Sequence, residues 1–185
     1  MARVITFSRV FPSYHPKAGQ QTYFVEKIWN GFRAGDFGLP KSLHPFADAY
    51  TKSVYPAGED YLKSLHVQGI KSTTIRAGHR WKVGDWFSPR VWSGKPYNSK
   101  MITIAPDIQI KKVWDFEMCW GIHKRFGPYQ EVRVNSVPMS VDEIAKNDGL
   151  EVGDFLSWFN KPMTGQIISW DRVLTFKQQR YENRN

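Results

Sequence analysis

From Asp85 onward the apolar residues recur at every second position, and this change of period constrains the fold more than any other feature of the chain. Successive side chains leave a strand on opposite sides, so a period of two marks strands with one buried face. Asp85 to Trp92, Met101 to Ala105 and Tyr129 to Val137 read as such strands. Ile108, Ile110, Trp114, Phe116 and Met118 share one parity with Lys112 interrupting, which predicts a long bent strand or a bulge. Gly165 to Phe176 predicts a final strand and Ile5-Thr6-Phe7 a first.

Around these strands the period is helical. Thr22 is placed to cap a helix whose apolar positions Val25, Ile28, Trp29 and Phe32 follow the i, i+3, i+4, i+7 rule, with Gly35 at its end. Asp36 to Pro56 reads as an irregular surface excursion because Gly38, Pro40, Pro45 and Pro56 interrupt it. A short helix is predicted from Glu59 to His66. Ser140-Val141-Asp142-Glu143 is a capping-box sequence leading to Asn147-Asp148-Gly149. Val152, Phe155, Leu156 and Phe159 define a further amphipathic helix, closed by Pro162.

Short strands with clusters of small helices predict an α+β fold, a mostly antiparallel barrel flanked by helices. At 185 residues, with 41% hydrophobic and 23% charged residues, the chain suits one well-buried domain. Residues 11–56 are expected as a helical insertion and 177–185 as a polar tail. No run approaches the ~20 apolar residues of a membrane span, so no membrane partner is expected. Cys119 is the only cysteine, which excludes an intrachain disulfide and a cysteine-based metal site and makes a cytoplasmic setting the default. The five histidines show no i, i+4 pairing, and neither a glycine-rich phosphate loop nor a dinucleotide fingerprint is present. No metal and no cofactor is expected.

The net charge of +9 is concentrated in the middle of the chain, where residues 71–133 hold 12 Lys/Arg against 5 Asp/Glu. Aromatics interleave with these cations, as in Arg80-Trp81-Lys82 and Arg90-Val91-Trp92. Cations fix phosphates while aromatic faces stack on bases, so RNA or single-stranded nucleic acid is one expected partner class. A barrel with aromatics inward and cations outward gives the same alternation.

Lys71-Ser72-Thr73-Thr74-Ile75-Arg76 is the densest chemistry in the chain. An ammonium beside hydroxyls is the material of Ser/Thr–Lys nucleophiles, and an ammonium beside a guanidinium grips phosphate. An ordinary Thr/Ile strand with charged ends fits the same residues.

The pattern Lys71-x-x-Thr74-x-Arg76, the following Lys82-Val83-Gly84-Asp85, and Asn147-Asp148-Gly149-Leu150 ahead of Phe155-Leu156-Ser157-Trp158-Phe159 resemble the ASCH domain, a PUA-like family. The likeness covers the opening strand and roughly Glu59 to Phe176, in the manner of longer bacterial and phage members. It implies a PUA-like β-barrel with a basic cleft beside the Lys71–Arg76 strand. Members are linked to RNA binding, and some small bacterial ones are amidohydrolases acting on N4-acetylcytidine. The resemblance then implies Lys71, Thr74 and Asp148 as catalytic residues with Arg76 nearby. Asp148 stands where the small hydrolases have Glu, drawing the carboxylate back by about 1.5 Å.

The expected function is therefore binding of RNA, single-stranded nucleic acid or a modified nucleoside in a basic cleft. Arg76, Ser72, Arg80, Lys82 and Trp92 are the expected binding residues. An N4-acylcytidine amidohydrolase is the first alternative and a ribonuclease the second.

Overall fold

The computed structural model describes residues 2–32, 39–55, 66–123, 127–171, 174 and 176. Among these the fold is α+β, with two mostly antiparallel sheets and four α-helices. In the first sheet β3 (Trp86–Trp92) is central. It pairs in parallel with β1 (Arg3–Thr6) and antiparallel with β4 (Met101–Thr103) and β5 (Ile108–Gln109). The second sheet is wholly antiparallel. It contains β2 (Thr73–Ala77), β6 (Lys112–His123), β7 (Gly127–Val134), β8 (Val137–Met139) and β9 (Met163–Ser169), in the order β2-β9-β6-β7-β8.

The chain changes sheets at Ile110-Lys111. Ile110 N–H donates to Asp85 of the first sheet, and Lys111 N–H donates to Ser169 of the second, both at 2.8 Å. This is the bend that the broken parity at Lys112 predicted. At the opposite margin the edge strands β1 and β2 are joined by a side chain, with Arg76 Nη2 donating to Thr6 O at 2.7 Å. No backbone ladder among the described residues closes the two sheets into a ring.

Helix α1 (Phe24–Phe32) buries Val25, Ile28 and Trp29 against the first sheet. The helix starts one residue later than the Thr22 cap predicts: Tyr23 O accepts the first helical bond, from Lys27 N–H at 3.0 Å, and Thr22 Oγ1 accepts from Phe24 N–H at 3.3 Å from just outside the capping position. Trp29 Nε1 donates to Ile104 O at 2.7 Å and pins the helix to the chain leaving β4. The predicted stop at Gly35 lies outside the described residues, as do most of the helix predicted from Glu59 to His66 and the whole of the 177–185 tail.

The described part of the excursion expected from 36 to 56, residues 39–55, is instead mostly helical and lends four side chains to the core. A 3-10 turn, Lys41–Leu43, runs straight into α2 (His44–Val54). Pro45, read as a breaker, sits in the first helical turn, where its missing N–H costs nothing. Leu43, Ala47 and Tyr50 are buried with Trp29 and Phe87.

The second core lies between the second sheet and two short helices, α3 (Val141–Asn147) and α4 (Val152–Trp158). Strand β9 separates the cores, with Ile167 in one and Ile168 in the other, both fully buried. Gly165 is required there, since a Cβ would come within 2.1 Å of the Arg76 carbonyl on β2.

Two further expectations change. The strand expected over 129–137 is a hairpin, because Asn135 and Ser136 both take positive φ (49° and 66°). That is the requirement of the tight primed turn that joins antiparallel strands. The strand expected to reach Phe176 ends at Ser169. Phe176 instead packs edge-on against Trp114, with ring centroids 4.8 Å apart. Ser140 does cap α3, but it accepts from Asp142 N–H.

Candidate functional site

The site begins with two residues that belong to no regular element. Lys71 N–H donates to Lys27 O of α1 at 3.0 Å, and Ser72 N–H donates to Asn147 O of α3 at 2.9 Å. These bonds hold the chain between two helices just before β2 and turn the Lys71 side chain inward. A regular strand would have put Lys71 and Thr74 on opposite faces. Because β2 starts only at Thr73, both reach one pocket.

Asp148 arrives from the other side as the C-cap of α3. Gly149 takes φ +77°, Gly149 N–H bonds Lys146 O at 3.1 Å, and Leu150 N–H bonds Ala145 O at 2.9 Å. This is the Schellman closure, in which a left-handed glycine satisfies the last carbonyls. A Cβ on Gly149 would stand 3.0 Å from Lys71 Cβ, so the turn needs glycine for space as well as for φ.

The Lys71 ammonium donates twice to Asp148, to its carbonyl at 2.6 Å and to Oδ1 at 2.7 Å. Lys71 is 1% exposed and Asp148 5%. The ammonium lies 4.2 Å from the centre of the Phe24 ring, and Phe7 is shared at longer range by Lys71 and Arg76. Burial lowers the Lys71 pKa to about 8, with the Asp148 carboxylate opposing and Arg76 and Lys27 adding to the fall. Burial likewise pushes the Asp148 carboxyl up, against the attraction of Lys71. The Arg76 guanidinium falls to about 10, again chiefly by burial.

These groups surround a cavity of about 80 Å³. Lys71, Thr74, Arg76 and Asp148 supply its polar side, and Phe7, Phe24, Trp158 and Phe159 its aromatic side. Arg76 Nε is buried with no hydrogen-bond partner. A buried donor beside a cavity marks where an acceptor belongs. The volume is below that of pockets for drug-sized ligands, about 300–1,000 Å³, and suits the end of a molecule rather than the whole.

The sequence-predicted residues therefore divide. Lys71, Thr74, Arg76 and Asp148 meet in one pocket. Ser72 opens instead onto a neighbouring groove of about 600 Å³ with Lys27, Lys146 and Asn147. Arg80 and Lys82 lie exposed ahead of β3 and neither lines the pocket, though Arg80 helps depress the Arg76 guanidinium. Trp92, at the far end of β3, packs against Tyr97 and does not line the pocket. Phe7, Phe24 and Lys27 were not singled out from the sequence as site residues. Lys27 Nζ donates to Gly149 O at 2.7 Å and steadies the turn carrying Asp148.

Of the histidines, His15 has a structural place. His15 is buried, stacks on Phe11 at 4.3 Å and pairs with Asp154 O at 3.1 Å. Among the described residues no group of three or more His, Cys, Asp and Glu side chains is arranged to hold a metal. No described helix is long and apolar enough to cross a membrane.

Comparison of the chain with protein-family models, with curated proteins and with solved structures finds no significant match.

Proposed function

We propose that the chain is an ASCH-type, PUA-like protein that receives a modified pyrimidine, free or presented by a single strand, in the Lys71/Thr74/Arg76/Asp148 pocket. The observation that carries this is the unspent hydrogen-bonding capacity around the cavity. Arg76 Nε has no acceptor, and Thr74 stands at the cavity wall. A cytosine bearing an N4-acyl group offers carbonyl acceptors for the guanidinium and a flat face for Phe7, Phe24 or Trp158. About 80 Å³ admits the base edge with its acyl group while the ribose stays outside. The barrel is supported by the Arg76–Thr6 bond, which bridges β1 and β2 where a closing ladder would run.

The amidohydrolase reading is favoured by one observation, the burial of Lys71 in the same pocket as Thr74, which lowers the lysine pKa to about 8. Neutral Lys71 would take the Thr74 proton as Thr74 Oγ1 forms a bond to the acyl carbon. Collapse of that adduct breaks the C–N4 bond, and the Lys71 ammonium returns a proton to the leaving amine. Water then cleaves the acyl-threonine ester to acetate and free Thr74. Asp148 holds Lys71 in place through its two bonds.

Titration of the wild-type chain with N4-acetylcytidine and with cytidine tests both. Binding of the acetylated nucleoside at micromolar affinity, weakened at least about tenfold by Arg76→Gln, is expected. Acetate in the same samples identifies the enzyme. Absence of nucleoside binding in wild type would overturn the pocket assignment.

A further inference from the structure

The β3–β4 connection, residues 93–100, is an ordered loop that the pocket does not use. Ser93 N–H donates to Lys100 O at 2.9 Å and Asn98 N–H to Lys95 O at 3.2 Å. The Ser99 hydroxyl accepts from Gly94 N–H and donates to Lys95 O, both at 2.9 Å. At its base, Arg9 donates from Nε to Trp92 O and from Nη2 to Ser93 O, both at 2.8 Å. A loop with this many internal bonds has its backbone set before any partner arrives.

What it holds is an aromatic pair on a cationic base. Tyr97 takes φ +64°, an uncommon conformation for a bulky residue, and is 88% exposed. Its ring lies 5.3 Å from that of Trp92, leaving the outer Tyr97 face open to solvent. Arg90 and Trp92 share the outward parity of β3, since Val91 between them is fully buried. Residues 86–106 contain Arg90, Lys95 and Lys100 and no Asp or Glu. Backbone held in a sparsely populated region so that a large ring faces water is the kind of strain found at binding sites.

We infer that the β3–β4 loop is a docking platform for single-stranded nucleic acid, with a base stacked on Tyr97 and neighbouring phosphates held by Arg90, Lys95 and Lys100. Charge complementarity selects this occupant: three cations on a segment that carries no carboxylate of its own attract a polyanion, and an open ring face suits any base without regard to sequence. The platform is separate from the nucleoside pocket, and its test reads a different ligand.

Fluorescence anisotropy with a labelled ten-nucleotide oligouridylate and its oligothymidylate counterpart tests the inference at low salt. Wild type should bind both, because stacking and phosphate contacts do not need the 2′-hydroxyl. Tyr97→Ala should weaken binding at least about fivefold and Tyr97→Phe should restore it. Lys95→Ala/Lys100→Ala should flatten the slope of log affinity against log salt by about 1.4. All three substituted side chains are exposed, so unchanged melting curves should accompany the losses. Absence of oligonucleotide binding in wild type, or a Tyr97→Ala variant that binds like wild type, would overturn the inference. Neither result bears on N4-acetylcytidine binding, which is measured with the free nucleoside.

Discussion

The Lys71 ammonium is bonded to Asp148 twice over, through the backbone carbonyl at 2.6 Å and the carboxylate at 2.7 Å. The short carboxylate reaches its partner because the C-cap of α3 is brought against the Lys71 segment by the Ser72–Asn147 backbone bond. Backbone position thus supplies the reach that a longer side chain would give. A buried charge pair of this kind costs much to assemble and more to break. The pair stands beside a cavity that Arg76, with its unpartnered Nε, also lines.

Removing one member of the pair should therefore hurt more than removing both. Lys71→Met is expected to cost about 3–5 kcal/mol at pH 7 by leaving Asp148 buried and unpaired. Lys71→Met/Asp148→Asn should recover much of that loss. Urea denaturation of the two singles and the double measures the coupling, and additive effects would contradict it. Asp148→Glu should cost about 1–3 kcal/mol, because an extra methylene must fit a site already closed around Asp148.

Two glycines with the same backbone angle separate conformational cost from contact. Gly19 and Gly149 both take φ +77°, yet a Cβ meets nothing within 4 Å at Gly19 and Lys71 Cβ at 3.0 Å at Gly149. Gly19→Ala should cost about 1–2 kcal/mol from the left-handed conformation alone. Gly149→Ala should cost more, and should also weaken nucleoside binding by displacing Lys71. Equal denaturation midpoints for the two variants would argue against the close approach.

How much of this was legible in the sequence depended on whether local chemistry or long-range packing decided the element. The Ser140 cap and the Lys112 break are local and mark real features, and the Thr22 reading misses the start of α1 by a single residue. The motif order Lys71, Thr74, Arg76, then Asp148 named four residues that the fold brings together across 77 positions. The α2 helix was missed because Pro45 and the weak apolar pattern of His44–Val54 look like loop; Tyr50 is helical because the Trp29 ring, 5.4 Å away, gives it a place to pack. The Asn135-Ser136 turn was missed because Ser is an unusual residue for positive φ. The location of Trp92 was not readable at all, since only the sheet order puts the far end of β3 away from the pocket.

Helix α2 should behave as core. Tyr50→Ala is expected to lose about 3–5 kcal/mol, the range for truncating a buried aromatic ring. Deleting residues 39–55 should abolish cooperative unfolding, because Leu43, Ala47, Tyr50 and Tyr55 leave the first core together. A deletion variant that still melts cooperatively would return this segment to the status of an appendage.

The pH dependence follows from Lys71. Its folded pKa of about 8 lies below the ordinary lysine value of 10.5. Between those two values the unfolded chain holds a proton that the native state has released. Stability contributed by this group therefore rises with pH from about 8 to about 10.5 and is lowest below 8. Ligand binding that uses the ammonium should weaken above pH 8, whereas hydrolysis that uses the free amine should rise through the same value. Profiles of affinity and of acetate release, each compared with Lys71→Arg, separate the two.

The most direct measurement is the NMR titration of the Lys71 amine, with and without N4-acetylcytidine. The signal should titrate near pH 8 and shift when the nucleoside is added. A Lys71 amine that titrates at the usual lysine pH and ignores the nucleoside would contradict the assignment of this pocket as a ligand site.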